Sequence, residues 1–297
     1  VAYATQELSA DLGTTPLGFR YTNVIGGVKL NRPLNDTGLS YTAELSRRPV
    51  TDTLLSFAGA RDSRTGQSWG AVAATGGRLQ LTQDFGDYGV YGYGSWQSLE
   101  GRNVESNTKV EGGLGLYKYL LRDTNYQLTS GLNLMAMSYD KNLSNFTYGQ
   151  GGYFSPQEYY SLSVPVGWAQ RQGNFSYKVQ GSVGLQYFKT DSSPYFPNNG
   201  SLQSAANAAA AIAFAEGLSG SPDARYDGQS KTSVGYSLAT NVEYQVGPQL
   251  FLGGMASIDN ARDYRQWVGG LYARYTFDSV PGGVSLPANS FKSPYAQ

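Results

Sequence analysis

Phe175-Ser176-Tyr177-Lys178-Val179-Gln180-Gly181-Ser182-Val183-Gly184-Leu185-Gln186-Tyr187 alternates from end to end. Its odd positions are aromatic, aliphatic or glycine, and its even positions are polar or glycine. A period of two puts one set on one face of a strand and the other set on the opposite face. The run is far longer than the roughly 5–6 residues of an ordinary globular strand. Its apolar face also has aromatics at both ends and Val, Gly and Leu between them. That is the layout of a lipid-facing band with an aromatic girdle at each bilayer interface.

The same reading extends along the chain. Thr232, Val234, Tyr236, Leu238, Thr240, Val242, Tyr244 and Val246 share a face, and so do Tyr160, Leu162, Val164, Val166 and Trp168. Leu39, Tyr41, Ala43 and Leu45 do likewise. Strands are expected near residues 2–11, 18–30, 38–47, 53–61, 67–83, 88–99, 105–121, 126–139, 158–170, 175–188, 231–246, 250–257 and 266–277. Tight turns are expected at 48–52, 85–87, 122–125, 171–174 and 247–249, against long connections at 140–157 and 189–230. Short turns at one end and long loops at the other distinguish an outer-membrane barrel from a soluble meander. Within the longest loop, Leu202–Leu218 is Ala-rich and reads as a helix.

Composition agrees. Charged residues are only 15%, against about 25% in globular proteins, yet the mean hydropathy of −0.38 denies a large apolar core. The chain has 22 Lys+Arg, 22 Asp+Glu, no Cys and no His. It therefore holds no zinc finger, disulfide, Ser–His pair or imidazole metal site, and its zero net charge argues against nucleic acid as a partner. No catalytic residue, metal ligand or cofactor is expected. The fold class is all-β, a transmembrane antiparallel up-and-down barrel with one short helix in a long loop. No secretory signal opens the chain, and the absence of an initiator Met suggests a mature segment or a piece of something longer. About thirteen strands, an odd number, suggest that residues 1–277 begin part-way round the barrel. The closing Tyr275-Thr276-Phe277 has the aromatic-x-aromatic form of a terminal barrel strand. The Pro-, Gly- and Ser-rich segment 278–297 then reads as a tail that stays periplasmic or bends back into the pore.

Three motifs dissolve on inspection. Gly66-Gln67-Ser68-Trp69-Gly70 fits a nucleophile elbow, but no His is present to act as base. Gly89, Gly92 and Gly94 lack the strand-to-helix switch of a phosphate loop. The Asn-x-Ser/Thr triplets at Asn142, Asn145 and Asn174 are expected by chance in this composition.

The polar strand faces supply the candidate channel lining: Glu44, Ser46, Lys109, Glu111, Asn133, Lys178, Gln180, Asn241, Glu243 and Arg274. A charge-balanced pore wall explains the carboxylates better than a glycosidase pair does. Tyr91, Tyr93, Tyr117, Tyr119 and Tyr139 also lie off the apolar faces. Of these, Tyr91, Tyr93, Tyr117 and Tyr139 are candidates for stacking on sugar rings, for which a neutral lumen suits an uncharged polysaccharide.

The chain resembles the C-terminal barrel of the cellulose synthase operon protein C family of cellulose export porins. The resemblance rests on Tyr3–Gly13, Gly18–Gly27, Leu45-Ser46-Arg47-Arg48-Pro49-Val50-Thr51-Asp52, Ser56–Asp62 and Trp69–Val72. It rests most specifically on the Arg47-Arg48-Pro49-Val50 turn and Tyr148-Gly149-Gln150-Gly151-Gly152-Tyr153-Phe154-Ser155-Pro156-Gln157. It implies a sixteen-stranded barrel in the bacterial outer membrane, and so about three strands beyond those seen here. It also implies an upstream periplasmic tetratricopeptide array in the same polypeptide. The implied partners are a β-glucan polymer, outer-membrane lipid and an inner-membrane cellulose synthase complex. The expected function is passive export of nascent or modified cellulose, gated by the outer loops 140–157 and 189–230. Two other readings stay open: an outer-membrane barrel enzyme such as a lipase or deacylase, and a soluble all-β sugar-binding or adhesin domain.

Overall fold

The computed structural model describes residues 1–5, 7–260, 265–277 and 283–288. Its first strands are β1 (Ala2–Ala4), β2 (Leu8–Thr14), β3 (Val24–Pro33) and β4 (Leu39–Pro49). Then come helix α1 (Leu54–Ala58), β5 (Ala60–Arg61), β6 (Ser68–Asp84), β7 (Tyr88–Arg102), β8 (Asn107–Arg122) and β9 (Tyr126–Tyr139). They are followed by β10 (Glu158–Gln172), β11 (Phe175–Thr190), β12 (Ser193–Pro194), helix α2 (Gly200–Ala215) and β13 (Arg225–Tyr226). The last three strands are β14 (Gln229–Gln245), β15 (Leu250–Asp259) and β16 (Gln266–Tyr275).

Thirteen strands follow one another in chain order from β1 to β16, with β5 beside β6 and with β12 and β13 as a separate pair. Every pairing in the large sheet is antiparallel, so this is the wall of an up-and-down transmembrane β-barrel. The longest strands, β6 and β14, run 17 residues each.

The outward face is apolar and bare. Leu79, Leu114, Leu134, Leu185 and Leu271 are all exposed, Leu271 almost completely at 93%. A water-facing wall would not show such a continuous apolar surface. Its aromatics form two levels. At the short-turn end Tyr126 stacks on Trp168, whose indole N–H donates to the Tyr177 hydroxyl at 3.1 Å. At the other end Tyr160 stacks on Tyr187. Tyr177 and Tyr187 lie ten residues apart on β11, about 34 Å along the strand. A strand tilt of roughly 40° turns this into a band about 26 Å tall, the height of an outer-membrane hydrophobic belt.

The connections 34–38, 85–87, 123–125, 173–174 and 246–249 share one end of the barrel. The connections 15–23, 50–67, 103–106, 140–157 and 191–228 share the other.

Four local expectations need correction. Residues 53–61 form α1 and β5 instead of a wall strand. Thr53 caps the helix, accepting from the Ser56 backbone N–H while its own N–H is met by the Ser56 hydroxyl. That reciprocal cap overrides a short run compatible with β structure. The turn expected at 48–52 belongs to the long-loop end, because β4 continues to Pro49 and opens the connection 50–67. Residues 2–11 fold as the hairpin β1–β2, with Tyr3 opposite Ala10. The third strand starts at Val24 instead of residue 18, because 15–23 loop across the mouth, where the Asn23 side chain donates to Ala71 O.

Candidate functional site

The apolar core lies inside the long-loop end of the barrel. Val72, Leu99, Met137, Tyr139, Tyr159 and Phe188 project from the inner wall, and Val50, Leu143 and Tyr153 pack against them from the connections. Connection 140–157 is the wedge that fills this mouth. Thr53 Oγ1 donates to Gly152 O at 2.7 Å, and Phe154 N donates to Asp52 Oδ2 at 2.9 Å, 102 residues away in sequence. Asn107 Nδ2 donates to the Tyr153 hydroxyl at 3.2 Å and to Lys141 O at 2.8 Å. Gly152 has φ 66° and packs its Cα against Leu55 and Thr53, so both backbone angle and space select glycine. Burial raises the pKa of Tyr153 well above the phenol range, because the low-dielectric cluster disfavours a phenolate.

The second long connection, 191–228, lies against the wedge. Gln150 Nε2 donates to Ser193 Oγ at 2.9 Å and Pro194 O at 2.8 Å, and Asn142 Nδ2 donates to Asp191 O at 2.7 Å. Beyond these ties it becomes α2, capped at its N-terminus by Asn199 and containing no buried residue. The helix expected over 202–218 is therefore present at 200–215.

The face that carries this core also carries the polar residues expected to line a pore, and it divides into two arcs. On β6–β9, Arg78, Tyr91, Tyr93, Lys109, Glu111, Tyr117 and Asn133 share the inner face. Lys109 Nζ lies 2.7 Å from Glu111 Oε2, Arg78 lies 3.9 Å from Glu111 Oε1, and the Tyr93 hydroxyl donates to Glu111 at 3.0 Å. Tyr91 donates to Asn133 Oδ1 at 2.7 Å and Tyr117 to Asp84 Oδ2 at 2.8 Å. On β10, β11 and β14 the lining is smaller and mostly neutral. Ser182 bonds Ser237 at 2.9 Å, and Gln186 joins Tyr159 to Ser233. Lys178 lies in register with Asn241, and Gln180 with Ala239.

Glu44, opposite Lys29 and Arg78 in register, and Ser46 continue the lining on β4. Above them Arg48 holds Asp11 through two bonds of 2.5 and 2.6 Å. Glu243 is fully buried and receives Arg274 at 2.6 Å and the Tyr272 hydroxyl at 3.0 Å. Beside it the described tail residues 283–288 touch the wall. Ser176 Oγ donates to Ser285 O at 2.7 Å, Arg171 donates to Val284 O at 3.4 Å, and Val284 is buried. The rest of segment 278–297 lies outside the described residues, apart from these six positions.

Two of the four tyrosines proposed for stacking have no open ring face. The Arg78 guanidinium lies 3.6 Å from the Tyr93 ring centre. Tyr139 is buried in the mouth beside Tyr153. Sequence alone does not reveal Arg78 as the cover of Tyr93, because the pairing depends on cross-strand register. The wedge did leave a signal, since the Tyr148–Gln157 motif forms its interior.

Residues 1–278 match the family described as "Cellulose synthase operon protein C C-terminus". Relatives named cellulose synthase operon protein C include one from Pseudomonas fluorescens, 44% identical over 98% of this chain and 22% of its own length. Another from Xanthomonas axonopodis pv. citri is 46% identical over 100% of this chain and 20% of its own length. The Escherichia coli K12 relative is 35% identical over 100% of this chain and 25% of its own length. The chain thus spans about a fifth to a quarter of these relatives. A solved "Bacterial polysaccharide outer membrane secretin" has a TM-score of 0.54 at 10% identity, covering 93% of this chain and 78% of that one, a likeness of fold. On the family match and these identities, the chain belongs to the family of cellulose synthase operon protein C C-termini.

Proposed function

We propose that this domain is the outer-membrane channel through which a nascent β-glucan, cellulose or a modified cellulose, leaves the bacterial cell. The single observation that carries the reading is the inner wall. It is lined by serine, amide, tyrosine and paired charges, and it is stoppered at one end by a wedge of loop. Such a wall offers hydrogen bonds to a neutral polymer at many equivalent positions and holds it tightly at none. The inner carboxylates favour lining over catalysis, since Glu111 and Glu243 each accept from a cation and a tyrosine hydroxyl. Neither is poised as a free acid or base.

In this reading the long-loop end faces outside the cell, following the loop asymmetry of outer-membrane barrels. Wedge 140–157 and arm 191–228 form the outer gate, and the tail narrows the periplasmic end. Conduction is passive, with the polymer pushed by an inner-membrane synthase and delivered through helical repeats upstream in the same polypeptide.

The test is a reversible lock. Cysteines replacing Gln150 and Ser193 in the full-length protein tie the wedge to the arm when oxidised. Polymer secretion from cells should stop on oxidation and recover on reduction. Undiminished secretion with the disulfide formed would remove the gate. A second check probes facing: a membrane-impermeant thiol reagent should modify Lys178→Cys through the lumen and spare Val179→Cys. Equal labelling of the two would remove the lumen assignment.

A further inference from the structure

Between β7 and β8 three successive inner-face pairs have the same make-up, one tyrosine facing one glycine. They are Tyr117 with Gly89, Tyr91 with Gly115 and Tyr93 with Gly113. In each pair the ring lies where the glycine's Cβ would be, so the glycine is a bed for the aromatic plane. Each hydroxyl is also tied down, to Asp84, Asn133 and Glu111 respectively. A phenol held by its hydroxyl at one end and by a glycine beneath cannot stand up into the lumen. It presents a flat apolar face parallel to the wall.

The spacing follows from strand geometry. Successive same-face pairs are two residues apart, about 6.8 Å along the strand. At a tilt of roughly 40° this becomes about 5 Å along the pore axis. That is close to the advance of one hexose ring in an extended β-linked chain, so three consecutive sugars could meet three consecutive rings. The lowest pair lies beside turn 85–87, at the short-turn end where the exported chain would arrive. Among the described residues no cation lies over Tyr91 or Tyr117, the latter meeting Tyr119 at a right angle with ring centres 5.9 Å apart, whereas Tyr93 is covered by Arg78.

We infer that Tyr117, Tyr91 and Tyr93 form a carbohydrate-stacking track with two open rungs and a third covered by Arg78. The ligand class is an extended β-linked glucan, an assignment that rests on the channel reading above. Flat rings recognise the apolar C–H faces of equatorially substituted sugars, which an extended β-linked chain presents one after another. A curled α-linked chain cannot follow the ladder.

Calorimetric titration of the detergent-solubilised full-length protein with a β-1,4-linked glucose hexasaccharide tests the track. The α-1,4-linked hexasaccharide serves as comparison. Wild type should bind the β-linked sugar and discriminate against the α-linked one. Tyr91→Ala and Tyr117→Ala should each weaken binding roughly three- to tenfold, the scale of one aromatic contact. Tyr→Phe at either position should recover most of it, since the ring and its glycine bed remain and only the hydroxyl tie is lost. Arg78→Ala should tighten binding by a similar factor by uncovering the third ring, a gain that misfolding cannot produce. If wild type binds and the double alanine variant binds equally well, the track is wrong while the channel reading stands. If wild type binds neither sugar, track and glucan assignment fall together.

Discussion

Connections 140–157 and 191–228 rise from the same end of the barrel, and they touch through Gln150, Ser193, Asn142 and Asp191. The first turns inward. Leu143, Gln150, Tyr153, Ser155 and Pro156 are buried, and its backbone is tied to Thr53 and Asp52 on a third connection. The second turns outward, and its helix leaves Ile212 and Phe214 exposed. Both are long, but the arm buries only its base, at Ser193 and Ala224, whereas the wedge has exchanged solvent for side-chain contacts along most of its length. Local stability follows that exchange, so the wedge opens only with its surroundings and the arm can open alone. The outer gate proposed for these two connections would then have a fixed stop and a separate moving cover.

The contrast is tested most strongly at Tyr153. Truncation to alanine removes a fully buried ring from the mouth and should cost about 3–5 kcal/mol. Heat-dependent gel migration of the detergent-solubilised barrel would read the loss, and proteolysis within 140–157 should accelerate. The matching truncation in the arm, Phe214→Ala, should change stability by less than about 0.5 kcal/mol. Equal losses at the two sites would show that the arm is packed as firmly as the wedge.

Gln150 joins the two regions, and Gln150→Ala leaves Ser193 and the Pro194 carbonyl without their shared donor. The cost should be about 1–3 kcal/mol. Hydrogen exchange should quicken in 191–228 more than in 140–157, because the wedge keeps its ties to Thr53 and Asp52.

Alkaline pH should separate the regions as well. Burial holds the Tyr153 pKa above its unfolded value near 10. A group whose pKa is raised on folding contributes stability that is fully present below the unfolded pKa. That contribution is lost as pH climbs from about 10 toward the folded pKa, by about 1.4 kcal/mol per unit. The wedge should therefore loosen between pH 10 and 11 while α2, which contains no buried residue, keeps its helicity. Tyr153→Phe should remove the alkaline step. A step of undiminished size in that variant would place its origin elsewhere.

The strands were legible because a wall with lipid outside and water inside imposes a strict period of two, as at Phe175–Tyr187. The inward facing of Glu111, Lys178 and Asn241 followed from the same period. The mouth left only the Tyr148–Gln157 motif as a signal, and its packing was not legible, because its residues answer to contacts a hundred positions away. Asp52 meets Phe154 and Thr53 meets Gly152, and no local pattern encodes either. The strand expected at 53–61 failed for a related reason: Thr53 and Ser56 cap each other, and a four-residue cap outweighs a weak alternation. Arg78 over Tyr93 depends on which residues of β6 and β7 are in register, and two separate strand patterns do not fix that.

The smallest expected effect lies in α2 itself. Ala208 faces solvent near the middle of the helix, so Ala208→Gly changes backbone freedom and removes almost no packing. It should cost about 1 kcal/mol of helix stability. Because α2 buries nothing, that loss should stay local. Amide exchange within 200–215 should rise severalfold, while protection around Tyr153 and the global unfolding temperature stay at wild-type values. If the wedge lost protection too, helix and wedge would be one cooperative unit, and the proposed gate would have a single moving body instead of a stop and a cover. Secretion decides the functional side. An arm that opens alone should pass polymer as fast or faster once its helix is loosened, whereas a helix that braces the open state should slow export in the same variant.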